Sequence, residues 1–407
     1  MPDADPITEN PDFYQHTHRL MARLRAQSPA HRVRFGPDDE GWLVTRYADV
    51  KVASSAPEVG RDLLTMRQLE RERAGAQPAA GDDDPGHEFD WIYRHVLYLD
   101  PPDHTRLRKA AHKGFTPGAI ARLRPRIEQL TSGLLDRLTG PGPVDLMQGL
   151  AVPLPLTVIC ELLGVPERDR PDFTLWSHVL NGEAGDRAEV IGVQRAVAEY
   201  FGELADRKRA APGDDLLSRL VEAEADGSLS REELISMSVL MLIAGHDTTA
   251  SLIGNGLLEL LRTPGQLALL RSDPALLPNA VEEMLRFAGP VNISSARFTR
   301  EPVELGGVRV PAGELLYVSI LSANRDASQF GNPDVFDITR ETGGHLGFGH
   351  GIHYCLGAPL ARVETEIVFR ALLGRYPGLR LAADPAAIAY RKSTLMHAPA
   401  ELPVYLG

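Results

Sequence analysis

The sequence contains few cysteines and no long apolar run, and both shortages narrow the class of protein. Its 407 residues include two cysteines, Cys160 and Cys355, too few for the disulfide framework of a small secreted domain. The densest apolar run, Val239 to Ala244, has six residues, whereas a membrane span needs roughly 20. The first ten residues are polar and contain no hydrophobic signal segment. We therefore expect a cytoplasmic protein with no membrane partner.

Basic residues are also scarce relative to acidic ones. The chain has 43 Lys and Arg against 55 Asp and Glu, a net charge of −12. Because nucleic-acid binding needs a basic face, this balance argues against a nucleic-acid partner. No Gly-x-Gly-x-x-Gly motif follows a predicted strand, so we expect no nicotinamide or flavin bound to this chain.

Cys355 stands in an unusual local sequence. Three glycines, Gly347, Gly349 and Gly351, alternate just before it, which is typical of a tight loop whose backbone approaches another group closely. Apolar residues then recur at helical spacing from Leu356 to Ile367. Cys355 should therefore lie near the N-terminus of a helix, where the helix dipole favours a thiolate.

A thiolate can bind a metal, and one alternative at this loop is zinc. Three nearby histidines could complete such a site, although structural zinc usually takes paired cysteines. They are His345, His350 and His353. The other cysteine, Cys160, lies in an apolar helical stretch and is expected to be an inert core residue.

The loop around Cys355 also resembles the axial-ligand loop of the cytochrome P-450 haem monooxygenases. That family's pattern is Phe-Gly-x-Gly-x-His-x-Cys-x-Gly, and every named position is met. The matching residues are Phe348, Gly349, Gly351, His353, Cys355 and Gly357. The resemblance implies that Cys355 binds the iron of haem b (iron protoporphyrin IX) and that Phe348 shields its sulfur. It also assigns His353 and Gly357 to the cofactor site.

The most apolar predicted helix contains a polar stretch. Ser230 and Glu233 match a capping box that starts a helix, and apolar residues then dominate from Met237 to Leu261. In the middle stands Ala244-Gly-His-Asp-Thr-Thr249, whose glycine and polar groups are unfavourable inside a buried helix. We therefore expect a kink that opens the backbone at this point.

This stretch resembles the oxygen-activation motif Ala-Gly-x-Asp/Glu-Thr of the same family. The resemblance implies that Thr248 hydrogen-bonds dioxygen, that Asp247 relays protons from water, and that Ala244 lies at the cofactor. The residues alone leave other interpretations open, with Asp247 on a surface face and Thr248 as a core hydroxyl. Thr249 is expected to be a packing residue.

Two basic side chains share a face of an earlier predicted helix. His104 and Arg108 lie four residues apart, just after the helix start marked by Pro101 to Asp103. Their spacing fits either the binding of one anion or a solvated basic face. The resemblance implies that they bind a haem propionate, as does Arg297 in a later strand-like stretch. Other cations of this helix form a basic patch that fits an acidic electron carrier: Arg106, Lys109 and Lys113.

A predicted ion pair and an apolar pocket complete the candidate site. Glu283 and Arg286 lie three residues apart on a helix and can pair; the resemblance makes this pair buried and structural. The candidate pocket residues are largely apolar, which favours a lipophilic small molecule as substrate. They are Met241, Leu242, Ala244, Val291, Ile293 and Leu395.

The resemblance covers essentially the whole chain and implies a fold and a reaction. The fold is a single domain over residues 1–407, mainly α-helical with a small β-rich portion, with haem between the Ser230 helix and the Cys355 loop. The reaction is hydroxylation or epoxidation of a lipophilic molecule by dioxygen, with electrons from NAD(P)H through a ferredoxin and its reductase. Similar enzymes often tailor polyketides, macrolides or terpenoids, and we expect a monomer.

Two other functions and two mobile segments also follow from the sequence as expectations. The chain could be a haem protein that binds a ligand without turnover, or a catalytically silent partner of other enzymes. The polar stretch from Gly60 to Trp91 is predicted to be a long mobile loop. The resemblance implies that it lies over the substrate entrance, and a solvated linker is the alternative for its acidic run, residues 81–86. Gly182 and Gly185 are predicted to let the flanking helices move.

Overall fold

The computed structural model describes residues 4–36, 39–62, 65–66, 68, 89–180 and 186–407. Most of the predicted entrance loop (69–88) and the predicted hinge with Gly182 and Gly185 therefore lie outside the described residues. No helix in the described ranges is long and apolar enough to cross a membrane.

Helices make up most of the described chain, as predicted. They are α1 Asp12–Gln15, α2 Thr17–Gln27, α3 Tyr47–Ser55, α4 Asp103–His112, α5 Pro117–Arg137, α6 Pro153–Leu162, α7 Pro171–Leu180, α8 Arg187–Ala210, α9 Leu216–Ala225, α10 Arg231–Arg262, α11 Pro264–Ser272, α12 Leu277–Ala288, α13 Ile320–Ala323 and α14 Ala358–Arg375.

The strands are short. They are β1 Ala30–Arg34, β2 Glu40–Val44, β3 Val59–Gly60, β4 Val144–Asp145, β5 Arg297–Thr299, β6 Val303–Leu305, β7 Val308–Val310, β8 Leu315–Val318, β9 Arg380–Leu381 and β10 Pro403–Tyr405. Short strands next to long helices agree with the predicted mainly α-helical fold with a small β-rich portion.

The chain forms two compact units, and the first contains all of these strands. Unit 1 comprises residues 1–60, 124–154 and 248–407. Its largest sheet has the order β1-β2-β8-β5-β3, in which β2 and β8 are parallel and the other neighbours antiparallel. Two antiparallel pairs join strands that follow each other in the chain: β1 pairs with β2, and β6 pairs with β7 across Gly306-Gly307. That the chain is one domain stays a prediction.

The core of unit 1 joins this sheet to α3 and to the segment before the Cys355 loop. Val44, Val50 and Val318 have no exposed surface and belong to one apolar cluster. Tyr47, at the start of α3, donates its backbone N–H to Asp326 at 2.9 Å and its hydroxyl to the carbonyl of Gly344 at 2.6 Å. Apolar burial thus anchors the chain just before the cysteine loop.

Unit 2, residues 61–123 and 155–247, is helical throughout its described part. Four aromatic side chains pack between α7 and α8, with Phe173 at ring-centroid distances of 5.0 Å from Trp176, 5.3 Å from Tyr200 and 5.9 Å from Phe201. Such tilted and edge-on pairs are the favoured geometries of aromatic rings. These contacts hold α7 and α8 together; residues 181–185 between them lie outside the described residues.

The start of α10 is a capping box, as predicted. Ser230 Oγ accepts from the N–H of Glu233 at 3.1 Å, and the N–H of Ser230 donates to Glu233 Oε2 at 2.8 Å. Arg106 of α4 donates to both Glu233 oxygens, at 2.8 and 2.6 Å, and to Asp103 Oδ1 at 2.7 Å. These hydrogen bonds lower the pKa of Glu233. Arg106 is therefore engaged within unit 2 and does not extend the predicted basic patch.

The helix α10 runs from Arg231 to Arg262 and includes Ala244–Thr249, and a kink within it stays a prediction. A Cβ atom at Gly245 would lie 2.7 Å from two side-chain carbons of Ile159 in α6. The glycine allows α6 and α10 to pack closely, which compensates for its low helix propensity.

Candidate active site

The loop before Cys355 is folded as tightly as its glycines predict. Gly349 and Gly351 have φ angles of +77° and +76°, in the left-handed region that glycine adopts without strain. The N–H of Cys355 donates to the carbonyl of Phe348 at 2.9 Å and closes the loop. Cys355 is exposed, and α14 begins shortly after it at Ala358. The sulfur thus lies just ahead of a helix N-terminus.

The zinc alternative finds no support in the described residues. Among them, no three His, Cys, Asp or Glu side chains are placed to share a metal ion. His345 is engaged elsewhere: its Nδ1 accepts from the N–H of Gly347 at 3.0 Å, so Nε2 carries the proton and donates to Glu282 at 2.9 Å. A single cysteine ligand fits a metal whose other ligands belong to a cofactor, such as the iron of a porphyrin.

An ion pair that the sequence analysis missed lies beside the cysteine loop. Arg362 of α14 donates to both oxygens of Glu282, at 2.6 and 2.8 Å. Burial acts to raise the pKa of Glu282, but the hydrogen bonds from Arg362 and His345 outweigh it and lower that pKa to about 2. The guanidinium of Arg362 lies 4.5 Å from the ring centroid of Phe348, a cation–π contact that fixes this ring.

Glu283 and Arg286 form a fully buried ion pair. Both side chains are 0% exposed, and Arg286 donates to the two oxygens of Glu283 at 2.6 and 2.7 Å. Arg286 also donates to the carbonyls of Asn324 at 3.0 Å and Pro333 at 2.9 Å. The pair therefore ties α12 to the irregular segment that precedes the cysteine loop.

One face of α10 is less covered than the rest of the helix. Ala244 is exposed and Thr248, one turn later, is half-buried, whereas Asp247 is buried. Met241, a predicted pocket residue, is also buried. Leu242 has 0% of its surface exposed, and its place in the pocket stays a prediction.

The predicted propionate-binding residues lie in different units. His104 is buried on α4 with Arg108 nearby, and burial, followed by the charge of Arg108, lowers the pKa of His104. The ring is therefore neutral near pH 7 and carries one N–H donor. In unit 1, Arg297 is buried in β5, where its Nη1 donates to Ser294 Oγ at 2.6 Å and to the carbonyl of Ser295 at 3.2 Å.

Three predicted pocket residues are brought together in unit 1. Val291 and Leu395 are partly exposed, and Ile293 is buried. The segments that carry them run side by side, because the N–H of Asn292 donates to the carbonyl of Leu395 at 2.8 Å and Val291 bridges Met396. We call residues 290–294 and 395–397 the wall segments.

Comparison with known proteins identifies the family. A model of the family "Cytochrome P-450" matches residues 193–381. Cytochrome P-450 107B1 of Saccharopolyspora erythraea is 48% identical over 400 residues, covering 97% of this chain and 96% of the relative. The chain belongs to the cytochrome P-450 family.

A hydroxylase and a solved structure are also similar to this cytochrome P-450. The 6-deoxyerythronolide B hydroxylase of Saccharopolyspora erythraea is 42% identical over 406 residues, with 98% of each chain covered. The structure of the P-450 monooxygenase TamI bound to tirandamycin C matches with a TM-score of 0.87 and 42% identity, over 97% of this chain and 98% of that one. The predicted cytochrome P-450 fold is confirmed.

Family membership also confirms the enzyme class and the cofactor. The chain is a cytochrome P-450 monooxygenase, and members of this family bind haem b through a thiolate ligand. The non-catalytic alternatives are therefore not favoured. Cys355 is exposed, and no group of three or more His, Cys, Asp or Glu side chains in the described residues could share a metal ion, so a single thiolate ligand fits this cofactor.

A buried acid on the helix after Cys355 predicts how the stability of this cytochrome P-450 depends on pH. Burial raises the pKa of Glu364 to about 8 from an ordinary 4.5. Between these values the folded state keeps a proton that the unfolded chain releases, so the free energy of unfolding falls as pH rises. We predict a lower thermal midpoint at about pH 8 than at about pH 6, and Glu364→Gln should remove part of this difference.

The neighbouring Glu366 provides a control for that measurement. Its carboxylate lies 3.6 Å from Arg124 and is partly exposed. Glu366→Gln should leave the pH dependence of the midpoint as it is in the unmodified protein. If Glu364→Gln does the same, the carboxyl of Glu364 does not hold its proton as the structure predicts.

Proposed function

We propose that this cytochrome P-450 hydroxylates or epoxidises a lipophilic small molecule, of the polyketide, macrolide or terpenoid kind, in secondary metabolism. The names of its relatives support a polyketide-type substrate, since one is a hydroxylase of 6-deoxyerythronolide B and another binds tirandamycin C. Electrons would come from NAD(P)H through a ferredoxin and a ferredoxin reductase, because the sequence contains no dinucleotide motif of its own. A cytoplasmic location and a monomeric state stay predictions.

The proposal depends most on the position of Cys355. We assign it as the thiolate ligand, because the second cysteine is unsuitable: Cys160 is buried, and burial raises the pKa of its thiol to about 12. A Cβ atom on Gly357 would lie 3.9 Å from the sulfur, Phe348 accepts a hydrogen bond from the N–H of Cys355, and His353 lies in the same loop. When bound, a thiolate-ligated haem supplies O–O cleavage and oxidation of a C–H group or an alkene.

The other residues of the site would bind and orient the cofactor and move protons. His104, Arg108 and Arg297 supply N–H donors for the two carboxylates of a haem. On α10, Ala244 offers a face without a bulky side chain, the hydroxyl of Thr248 can donate a hydrogen bond, and the carboxyl of Asp247 can exchange protons with water.

The wall segments favour an apolar substrate. Val291 and Leu395 present partly exposed apolar side chains, and Ile293 packs beside them. An apolar wall binds ligands chiefly by removing apolar surface from water. Titration with a panel of macrolides, polyketides and terpenoids, followed by mass analysis of the products, tests the substrate class. A panel in which only small polar compounds bind and react would refute it.

We predict that Thr248→Ala separates electron consumption from product formation. Without the hydroxyl, proton delivery loses its donor, so NADH should still be consumed while product per NADH falls by roughly tenfold or more. Hydrogen peroxide should take the place of the missing product. The measurement compares NADH consumed, product and peroxide under the same electron supply.

The adjacent Thr249 is the matched control for Thr248. It is buried on the same helix and loses the same atoms in Thr249→Ala. That variant should keep the product yield of the unmodified protein, and Thr248→Ser, which retains a hydroxyl, should recover most of it. Equal yields in Thr248→Ala and Thr249→Ala would contradict the role given to Thr248.

A further inference from the structure

A single side-chain nitrogen joins three elements of unit 1. Nδ2 of Asn255, on α10, donates to the carbonyl of Ala288 at 3.0 Å and to the carbonyl of His397 at 2.6 Å. Ala288 is the last residue of α12, just before wall segment 290–294, and His397 is the last residue of wall segment 395–397. The helix that carries Thr248 is thus bonded directly to wall segment 395–397 and to the end of α12, which leads into wall segment 290–294.

The wall segments are also bonded to each other. The N–H of Asn292 donates to the carbonyl of Leu395, and the N–H of His397 donates to the carbonyl of Pro290, both at 2.8 Å. Just after His397 the chain pairs with its own preceding residues, since the backbone N–H of Arg391 donates to the carbonyl of Ala398 at 2.9 Å. The two segments therefore behave as one piece, and Asn255 fixes the position of that piece relative to α10.

The side chain of Asn255 includes one polar atom whose burial is unfavourable for folding. It is 2% exposed, and its Oδ1 has no hydrogen-bond partner among the described residues. A buried unpaired carbonyl is unfavourable, so an apolar side chain would avoid this penalty. Only the amide nitrogen explains an asparagine here, because it satisfies two buried backbone carbonyls at once.

We propose that Asn255 is a positioning residue that sets the distance between α10 and the wall segments, and so determines how strongly large ligands bind relative to small ones. The inference rests on the proposed function in one respect, because it takes Val291, Ile293 and Leu395 as the wall of the substrate pocket.

Unit 1 contains a matched control with the same geometry. Nδ2 of Asn279, on α12, donates to the carbonyls of Ile338 at 2.6 Å and Arg340 at 3.0 Å. These carbonyls belong to the segment before the cysteine loop and not to a wall segment. Replacing either asparagine by leucine therefore removes two hydrogen bonds between a side-chain amide and backbone carbonyls of unit 1.

The experiment compares two ligands that share one iron-binding ring. Imidazole is too small to reach far beyond the iron, whereas dodecylimidazole carries an alkyl chain that must contact the wall. Both dissociation constants are measured by spectral titration of the haem-loaded protein. Asn255→Leu should change the ratio of the two constants by about tenfold, equivalent to about 1.4 kcal/mol, with imidazole affected less than about twofold.

The control and the thermal midpoint separate positioning from general stability. Asn255→Leu and Asn279→Leu should both lower the thermal midpoint, but Asn279→Leu should leave the ligand ratio unchanged. A lowered midpoint in Asn255→Leu with an unchanged ratio would overturn the proposal, since Asn255 would then act only on stability. An equal change of the ratio in both variants would overturn it as well.

A milder variant covers the case in which Asn255→Leu does not fold. Asn255→Ser retains one hydroxyl donor, which can reach one carbonyl, and should change the ratio by an intermediate amount; an unchanged ratio refutes the proposal. The unmodified protein tests the proposed function separately. If it lacks the carbon monoxide spectrum of a thiolate-ligated haem, the proposed function fails first, whereas a normal spectrum with an unchanged ratio removes only the role of Asn255.

Discussion

Replacing Cys355 with alanine should abolish monooxygenase activity and the thiolate-type spectrum of the reduced carbon monoxide complex. Alanine fits the loop, because the tight turns depend on Gly349 and Gly351 and the closing hydrogen bond uses the backbone N–H of residue 355. The loop should therefore keep its shape and lose only the sulfur. Since the thiolate supplies the electron density that favours O–O cleavage, we expect activity to fall by at least roughly a thousandfold.

The second cysteine, Cys160, provides a control that shows whether the effect depends on the position of the cysteine. Cys160→Ala removes the same side chain from a buried site in α6, where the raised pKa keeps the thiol protonated. That variant should keep the thiolate-type spectrum, although a small cavity will lower its stability somewhat. Retention of the spectrum in Cys355→Ala, or its loss in Cys160→Ala alone, would show that the ligand has been assigned to the wrong cysteine.

Features that depend on neighbouring residues in the sequence were predictable. The capping box of Ser230 and Glu233, the hairpin at Gly306-Gly307 and the cysteine loop are each set by residues a few positions apart. Their hydrogen bonds and turn conformations can be predicted from the local sequence without the tertiary fold. The family pattern around Cys355 then supplied the cofactor and the fold class.

Features that depend on which helices pack together were not predictable. Glu282 and Arg362 lie far apart in the sequence, and nothing in either local pattern indicates that α12 and α14 bring them together beside Phe348. The same reason applies to Gly245, which makes room for Ile159 of α6. Its local sequence gives no sign of that contact.

The buried pair of Glu283 and Arg286 predicts the largest effect on stability. Arg286→Met keeps an apolar stem of similar length but leaves the carboxylate of Glu283 without its bidentate partner, and two buried carbonyls lose a donor. Breaking a fully buried ion pair costs about 3–5 kcal/mol, because the remaining charge stays out of water. We expect a fall of this size in the free energy of unfolding, measured by denaturant titration, together with less haem per protein.

A second ion pair at the same spacing, whose arginine is partly exposed, shows whether full burial causes the loss of stability. Arg262 lies three residues after Glu259 at 3.1 Å, but its side chain is 39% exposed. Arg262→Met should therefore cost less than Arg286→Met, since solvent screens the guanidinium of Arg262, although the side chain of Glu259 is only 12% exposed. In Arg286→Met the carboxylate of Glu283 keeps only Arg340, at 3.3 Å, as a cationic partner. If the double variant Glu283→Gln with Arg286→Met is more stable than Arg286→Met alone, this weakly paired carboxylate is the main source of the loss. Equal losses in Arg286→Met and Arg262→Met would mean that burial adds nothing to this pair.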